Sequence, residues 1–349
     1  MAECVRIGER FIGPGHPCFV IAEAGVNHNG SLDRALRLVE AAKSAGADAV
    51  KFQLYRVEEQ VSGAAVTAAY QRERTGSGGM REMAESYDLP WDAHRDIAAH
   101  CRDAGVAYMA SCFDPQAIDF LMELGGQSIK IASGEITNYP LLEYAAKTGK
   151  PILLSTGMCE MEDVAGAVER IRESGPSPLA LFHCVSDYPT DPRAVNLRVM
   201  KTLADAFGVP VGFSDHTEGH AVAAAAVALG ACMIEKHFTT DKTLPGPDHA
   251  MSLAPRELED FVAAVRAAEA ALGDGVKRMT AQEKETQRVA RRSLVSARDI
   301  EPGETLGEEN VCLKRPAAGI DPREWGGARG RRAAIRIPAD TPIAWEMLK

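Results

Sequence analysis

The chain has 349 residues, with 39 Lys and Arg against 49 Asp and Glu (formal charge -10), 46% hydrophobic residues and 25% charged residues. These values are those of soluble globular domains and exclude disorder, collagen and low complexity as descriptions of the whole chain. The acidic balance argues against a nucleic-acid partner, because such surfaces need Lys and Arg to displace phosphate counterions. The longest small-apolar stretch, 221–234, is too short to cross a bilayer, so no membrane association is expected.

The opening MAECVRIGERFIGPGH has no basic stretch followed by an apolar one, so no secretory signal is read and a cytoplasmic location is expected. Short aliphatic runs at 19–24, 49–53, 107–112, 128–132, 151–155, 179–184, 210–214 and 232–238 read as strands. Between and after them, helical periodicity covers 31–45, 92–104, 115–124, 140–147, 162–174, 196–207, 218–229 and 255–272. Gly46, Gly105, Gly125, Gly149, Gly208 and Gly230 each stand where one of these helices should stop. Eight strand–helix pairs in strict alternation predict an α/β protein with a (β/α)8 TIM barrel over 1–272, an open doubly wound sheet being the structural alternative. Residues 273–290 are polar and read as a linker. Residues 291–349 carry 11 basic and 9 acidic side chains against 28 and 40 in the rest, and short strands broken by Pro-Gly and Ala-Asp turns predict a small β-rich module. Eight cysteines without a C-x-x-C pair suggest neither a disulfide framework nor a zinc ribbon.

Catalytic groups of such barrels come from strand ends and the loops that follow. The strands here end in Glu23, Lys51 and Gln53, Lys130 with Ser133 and Glu135, Ser155, Cys184 with Ser186 and Tyr188, Ser214 with His216, and Glu235 with His237. Two lysines with several hydroxyls on converging strand ends suit a phosphate-bearing anion, with structural ion pairs as the plainer alternative. His216 and His237 end adjacent strands, and two imidazoles with oxygen ligands suit a borderline divalent ion. The alternative is a pair of hydrogen-bonded or acid–base histidines. Glu23 and Glu135 are candidates for moving protons or for pairing with the lysines. The cysteines read as packing, with Cys112 the one to watch because it lies at a strand end.

The segments IAEAGVNHNGS, DAVKFQ, IKIASGEITNYPLL, LLSTGM, HCVSDYPT, VGFSDHT, IEKHFT and GPDHAMS occur in that order along 21–252. Together they resemble the sialic acid synthase family, which condenses phosphoenolpyruvate with an N-acylated amino sugar. RRSLVSARDI, NVCLKRPAAGI and IRIPADTPI resemble its antifreeze-like (SAF, β-clip) domain. The resemblance implies that Lys51, Ser111, Lys130, Ser133, Ser155, Ser186 and Ser214 surround phosphoenolpyruvate, with Glu135 beside the reacting carbons. Glu23, Gln53, Tyr188 and Asp248 would face the sugar, and His216 and His237 would hold a divalent metal, manganese before magnesium. It also implies a homodimer in which one SAF domain covers the partner's barrel and sends Arg315 to the sugar's N-acyl group. Two positions depart from the family pattern: Ala110-Ser111-Cys112-Phe113 replaces a common S-T-P-F, and Ser186 stands where some members carry Asn. The expected activity is N-acetylneuraminate synthesis from N-acetylmannosamine. The alternative is N,N'-diacetyllegionaminate synthesis from 2,4-diacetamido-2,4,6-trideoxymannose, and a metal-dependent pyruvate aldolase is more distant.

Overall fold

The computed structural model describes residues 4–76 and 79–349; the first three residues of the opening stretch and 77–78 lie outside the described residues. The chain divides into two compact units, Met1–Gly273 and Asp274–Lys349.

The first unit begins with an antiparallel hairpin that the periodicity did not predict, β1 (Val5–Ile7) and β2 (Arg10–Ile12). Then come the barrel strands β3 (Phe19–Gly25), β4 (Ala49–Leu54), β5 (Ala107–Cys112), β6 (Ile129–Ile131), β7 (Ile152–Ser155), β8 (Leu179–Cys184), β9 (Val211–Asp215) and β10 (Met233–His237). Each pairs in parallel with the next, and β10 closes on β3, so the predicted closed barrel is formed.

Helices α1 (Leu32–Ser44), α5 (Trp91–Ala104), α6 (Pro115–Glu123), α7 (Tyr139–Lys147), α8 (Met161–Ser174), α10 (Val199–Phe207), α11 (Ala221–Ala228) and α12 (Pro255–Leu272) follow the strands in order. Local chemistry sets their ends. Ser31, Asp114 and Asn138 cap α1, α6 and α7 by accepting a backbone N–H. Gly105 ends α5 with φ 71°, a left-handed conformation that returns its N–H to the Cys101 and Arg102 carbonyls. Helix α10 starts at Val199 rather than 196, because Asn196 is left-handed after the single turn α9 (Pro192–Val195). Three short helices, α2 (Val57–Gln60), α3 (Ala69–Thr75) and α4 (Met80–Tyr87), fill the β4–α5 connection, which the sequence left without an element.

Strand parity builds two cores. Val20, Ala22, Val50, Phe52, Ala110, Ile152, Leu154, Leu181, Phe213 and Ile234 point outward and pack against the helices. Ile21, Ala49, Met109, Leu153, Ala180, Phe182 and Met233 point inward and fill the lower barrel, where Val5, Ile7 and Ile12 of the hairpin join them. Each of the larger side chains so buried contributes about 1.5–3 kcal/mol. Cys112 belongs to the outer layer and is fully buried, so it is a packing residue. All eight cysteines are free. Among the described residues, no helix is long and apolar enough to cross a membrane.

In the second unit, α13 (Ala281–Ala290) lies within the stretch read as a linker. It is capped by Thr280 and Glu283 and has no buried residue. The small module after it contains β11 (Ser293–Ser296) paired antiparallel with β12 (Val311–Lys314), the turn α14 (Trp325–Ala328), and a core including Leu294, Ile300, Ile320, Ile337 and Ile343.

Candidate active site

Along the inward face of each barrel strand, the chemistry changes partway up. Ile21 gives way to Glu23, Ala49 to Lys51 and Gln53, Met109 to Ser111, Leu153 to Ser155, and Met233 to Glu235 and His237. Because strand side chains repeat every two residues, these polar groups stand directly above the apolar fill. They ring a cavity of about 240 Å³ at the C-terminal mouth. On β3 the register slips between Glu23 and Gly25, a bulge that re-aims the end of the strand. Gly25 has φ 51°, and a Cβ there would come within 3.4 Å of Glu23 Oε1, 3.5 Å of Asp248 Oδ2 and 3.6 Å of the His237 ring. A side chain at this point would occupy the mouth.

The two lysines lie in the floor of the cavity, each 3% exposed. Lys51 Nζ is 2.8 Å from Glu23 Oε2, 3.6 Å from Glu235 Oε2, and donates to Ser111 Oγ at 2.9 Å. Lys130 Nζ donates to Ser155 Oγ at 2.6 Å, lies 4.0 Å from Glu235 Oε1 and sits over the Phe182 ring. Ser214 donates to Glu235 Oε1 at 3.0 Å. Ser133 Oγ accepts from the Gly157 N–H at 2.9 Å and is 3.3 Å from Cys184 Sγ, so Cys184 is the cysteine of the cavity.

Burial and charge separate the two carboxylates. Burial pushes Glu23 up to about 7 despite the neighbouring Lys51. Burial also acts to raise Glu235, but Lys130 and Lys51 outweigh it and hold that carboxyl down at about 2. Burial lowers Lys130, with Glu235 opposing, whereas Glu23 and Glu235 more than offset burial at Lys51 and raise it. Two carboxyl groups with opposed shifts in one cleft make a proton donor or acceptor and a fixed charge.

His216 and His237 face each other with ring centroids 5.7 Å apart, and the Tyr188 ring lies 4.2 Å from the first and 6.2 Å from the second. His216 Nδ1 is 2.6 Å from the Val185 carbonyl, which only accepts, so the proton sits on Nδ1 and the lone pair on Nε2. Burial lowers both imidazoles, which keeps them neutral. His237 Nδ1 is buried without a hydrogen-bond partner and stands 3.8 Å from Asp248 Oδ2. A neutral, oriented imidazole beside an unpaired buried imidazole nitrogen fits a divalent ion as its protein ligands. Among the described residues, no group of three or more His, Cys, Asp or Glu gathers to hold a metal, so substrate and water would supply the other ligands.

Of the residues singled out in the sequence, Glu23, Lys51, Gln53, Ser111, Lys130, Ser133, Ser155, Tyr188, Ser214, His216, His237 and Asp248 line this one cavity. Three others do not. Glu135 is turned back onto its own loop, where Asn138 donates to it at 2.7 Å. Ser186 faces a neighbouring cleft beside Gly157. Arg315 is an exposed residue of the second unit. Sequence reasoning placed Glu235 at the strand end with His237 but gave it no role, although its place two residues before His237 on an inward-facing strand was a sufficient signal. It also passed over the contribution of α2–α4, which bring Gln60, Val61, Gln71, Met80, Met83 and Tyr87 to the cavity wall. From α3, Arg74 donates to the Pro247 carbonyl at 2.9 Å and the Tyr188 carbonyl at 3.3 Å, tying together the loops that carry Asp248 and Tyr188.

Fold and site together define a (β/α)8 barrel whose mouth gathers two lysines, several serine hydroxyls, two histidines and three carboxylates, followed by a small β module. The chain belongs to the NeuB family, whose model matches residues 38–277, and a SAF domain matches 291–349. It is 42% identical to the N,N'-diacetyllegionaminic acid synthase of Legionella pneumophila, over 97% of this chain and 96% of that one. Identity to the human N-acetylneuraminate-9-phosphate synthase is 34%, over 97% and 95% of the two chains. Among solved structures, the N-acetylneuraminic acid (sialic acid) synthetase of Leptospira borgpetersenii in complex with citrate matches with a TM-score of 0.72. That match has 34% identity and covers 82% of this chain and 95% of that one.

Proposed function

We propose that this protein is an enzyme that joins phosphoenolpyruvate to the open-chain aldehyde of an N-acylated amino sugar, giving a nonulosonic acid and phosphate. The observation that carries this reading is the Lys51 and Lys130 pair in the cavity floor, each set against a serine hydroxyl. Two buried ammonium groups with nearby donors suit a ligand bearing both phosphate and carboxylate. An aldolase working on pyruvate itself would need only one of them.

In the proposed reaction, the lysines and serines hold the enol phosphate, while Tyr188 and Asp248 flank the sugar beside the two imidazoles. Manganese or magnesium held by His216 and His237 would supply Lewis-acid polarisation of the aldehyde oxygen. Carbon 3 of the enol phosphate attacks the aldehyde carbon, the double-bond electrons form the new carbon–carbon bond, and carbon 2 becomes cationic. Water adds to carbon 2 and gives its proton to Glu23, whose raised pKa of about 7 suits a base at neutral pH. The intermediate then collapses with carbon–oxygen cleavage and phosphate leaves. Glu135 has no place in this scheme, because it is held outside the cavity.

The apolar part of the cavity lining supports a deoxygenated, diacylated sugar. Val61, Met80, Met83 and Ala84, with Val26 and Phe113, present methyl, thioether and ring surface. Such surface suits the acetamido and 6-deoxy methyl groups of 2,4-diacetamido-2,4,6-trideoxymannose better than the hydroxyls of N-acetylmannosamine. Among the described residues lining the cavity, Lys51 and Lys130 are the only Lys or Arg, which disfavours a 6-phosphorylated sugar. The 42% identity to a legionaminic acid synthase supports the same choice. N-acetylmannosamine, the first expectation from sequence, becomes the second reading on the likeness to the Leptospira synthetase. The proposal includes a two-fold dimer in which Arg315 of one chain serves the other chain's sugar, and a cytoplasmic location, where a phosphorylated metabolite is at hand.

The test is phosphate release from phosphoenolpyruvate with manganese, comparing the diacetamido sugar, N-acetylmannosamine and its 6-phosphate, with product mass read in parallel. Release with the diacetamido sugar, together with the matching product mass, is the expected result. Release with N-acetylmannosamine alone would reverse the order of the two readings, and release with none of the three would overturn the proposed reaction.

A further inference from the structure

Glu235 is the carboxylate of the cavity that the reaction scheme leaves without a task. It is 5% exposed, rises from β10 between the two lysines, and lies 3.6 Å from Lys51 Nζ and 4.0 Å from Lys130 Nζ. Its Oε1 accepts from Ser214, while its Oε2 is buried without a hydrogen-bond partner. The two ammonium groups therefore share one carboxylate, its Oε1 facing Lys130 and Ser214 and its Oε2 facing Lys51 beyond hydrogen-bond distance.

For an anion site this placement is counter-productive. Any ligand gripped by both Lys51 and Lys130 lies beside Glu235, and a fixed negative charge there repels a phosphate or carboxylate in a medium that screens poorly. The cost becomes useful only if the ligand acquires positive charge during reaction. An interaction that is unfavourable to the bound substrate and favourable to the transition state raises kcat and raises KM together.

We infer that Glu235 is the counter-charge for the cationic carbon 2 of the enol phosphate, weakening substrate binding and stabilising the step in which carbon 3 forms its bond to the aldehyde. The inference rests on the phosphoenolpyruvate reading. As carbon 3 supplies its electron pair to the aldehyde carbon, carbon 2 loses electron density and shares the resulting charge with the bridging phosphate oxygen. The aldehyde oxygen becomes a hydroxyl by taking the proton of neutral Glu23, and the resulting Glu23 carboxylate takes one back from the water that restores the octet of carbon 2. Glu235 takes no proton in this sequence. It is held as a fixed charge by the two ammonium groups and by the Ser214 hydroxyl, and the field of its carboxylate acts on the developing cation.

The plainer role, in which Glu235 merely keeps the lysines charged and placed, predicts the opposite effect on binding. The two are separated by Glu235→Gln in the full-length protein, a near-isosteric change that still accepts from Ser214. We measure phosphoenolpyruvate affinity by calorimetry without sugar, and kcat by phosphate release with sugar and manganese. The expected result is affinity equal to or tighter than wild type with kcat lower by about 100-fold or more. Weakened phosphoenolpyruvate binding, or an unchanged kcat, overturns the inference. Should E235Q not fold, Glu235→Asp carries the test, since it keeps the charge one methylene further back: unchanged affinity with reduced kcat supports the role and lost affinity overturns it. Absence of phosphate release by wild type defeats the underlying reaction instead, so the two failures are distinguishable.

Discussion

Lys236 and Asp215 form a buried ion pair at 3.0 Å, and each directly precedes one of the two imidazoles at the barrel mouth. By strand parity they point away from the cavity, into the layer where Lys236 lies over the Phe261 ring. Asp215 also accepts from the backbone N–H and the hydroxyl of Thr217, and Lys236 donates to the Thr217 carbonyl, so the turn holding His216 is fixed from behind. Breaking one side leaves an uncompensated buried charge, and Asp215→Asn should cost about 3–5 kcal/mol of stability by denaturant unfolding. Replacing both by apolar residues should recover most of that stability while manganese affinity, read by calorimetry, stays reduced. Full metal affinity in the double variant would show that the pair is structural only.

Arg74 bridges the loops that carry Tyr188 and Asp248 through two carbonyl bonds. Charge-assisted bonds of this kind are worth about 1.5–3 kcal/mol, so Arg74→Ala should raise the KM for the sugar by about ten-fold or more. The KM for phosphoenolpyruvate should not move, because Lys51 and Lys130 are held by Ser111, Ser155, Glu23 and Glu235 on the barrel strands. Equal changes in both constants would count against a positioning role.

The proposed dimer gives a complementation experiment. Arg315→Ala and Lys130→Ala should each be inactive with the sugar in full-length protein. Mixed and reassembled, they should regain up to about a quarter of wild-type activity, since half the dimers are mixed and each has one intact site. No recovery would place Arg315 in its own chain's chemistry or outside it.

Buried histidines set the acid limit. Burial lowers His28 to about 4 and His94 to about 3, and the Nδ1 of His94 is paired with the Tyr108 hydroxyl at 3.0 Å. Their folded pKa values lie below the unfolded value of about 6.5, so the unfolded state binds more protons between about pH 6.5 and 4. Stability should therefore fall on acidification through that window, by about 1.4 kcal/mol per pH unit for each such histidine. Urea unfolding across pH 4–7 reads the slope, and His94→Leu should reduce it by about one proton. An unchanged slope would place the acid sensitivity elsewhere.

Much of the barrel was legible because its causes are local. Alternating β and α periods, Ser31, Asp114 and Asn138 at helix starts and Gly105 at a helix end act over a few residues, and they place the strands to within one or two positions. Strand parity then turns Lys51, Ser111, Ser155 and His237 inward, and their late positions in each strand set them at one end of the barrel, without any knowledge of their neighbours. The hairpin β1–β2 and helices α2–α4 were not legible, because segments of three to eight residues carry too few periods to register. Glu135 looked catalytic by position, yet Asn138 three residues on turns its carboxylate away.

The sequence by itself determined the order of the eight barrel strands and the helices that follow them, the polar ends of those strands and the family, since these follow from residue type and spacing. Only the tertiary structure decided that Glu235 stands between Lys51 and Lys130, that Cys184 rather than Cys112 meets the cavity, and that Arg74 reaches the loops of Tyr188 and Asp248. The Glu235 and Arg74 contacts join residues more than a hundred positions apart, which the closed barrel brings within 4.0 Å of one another.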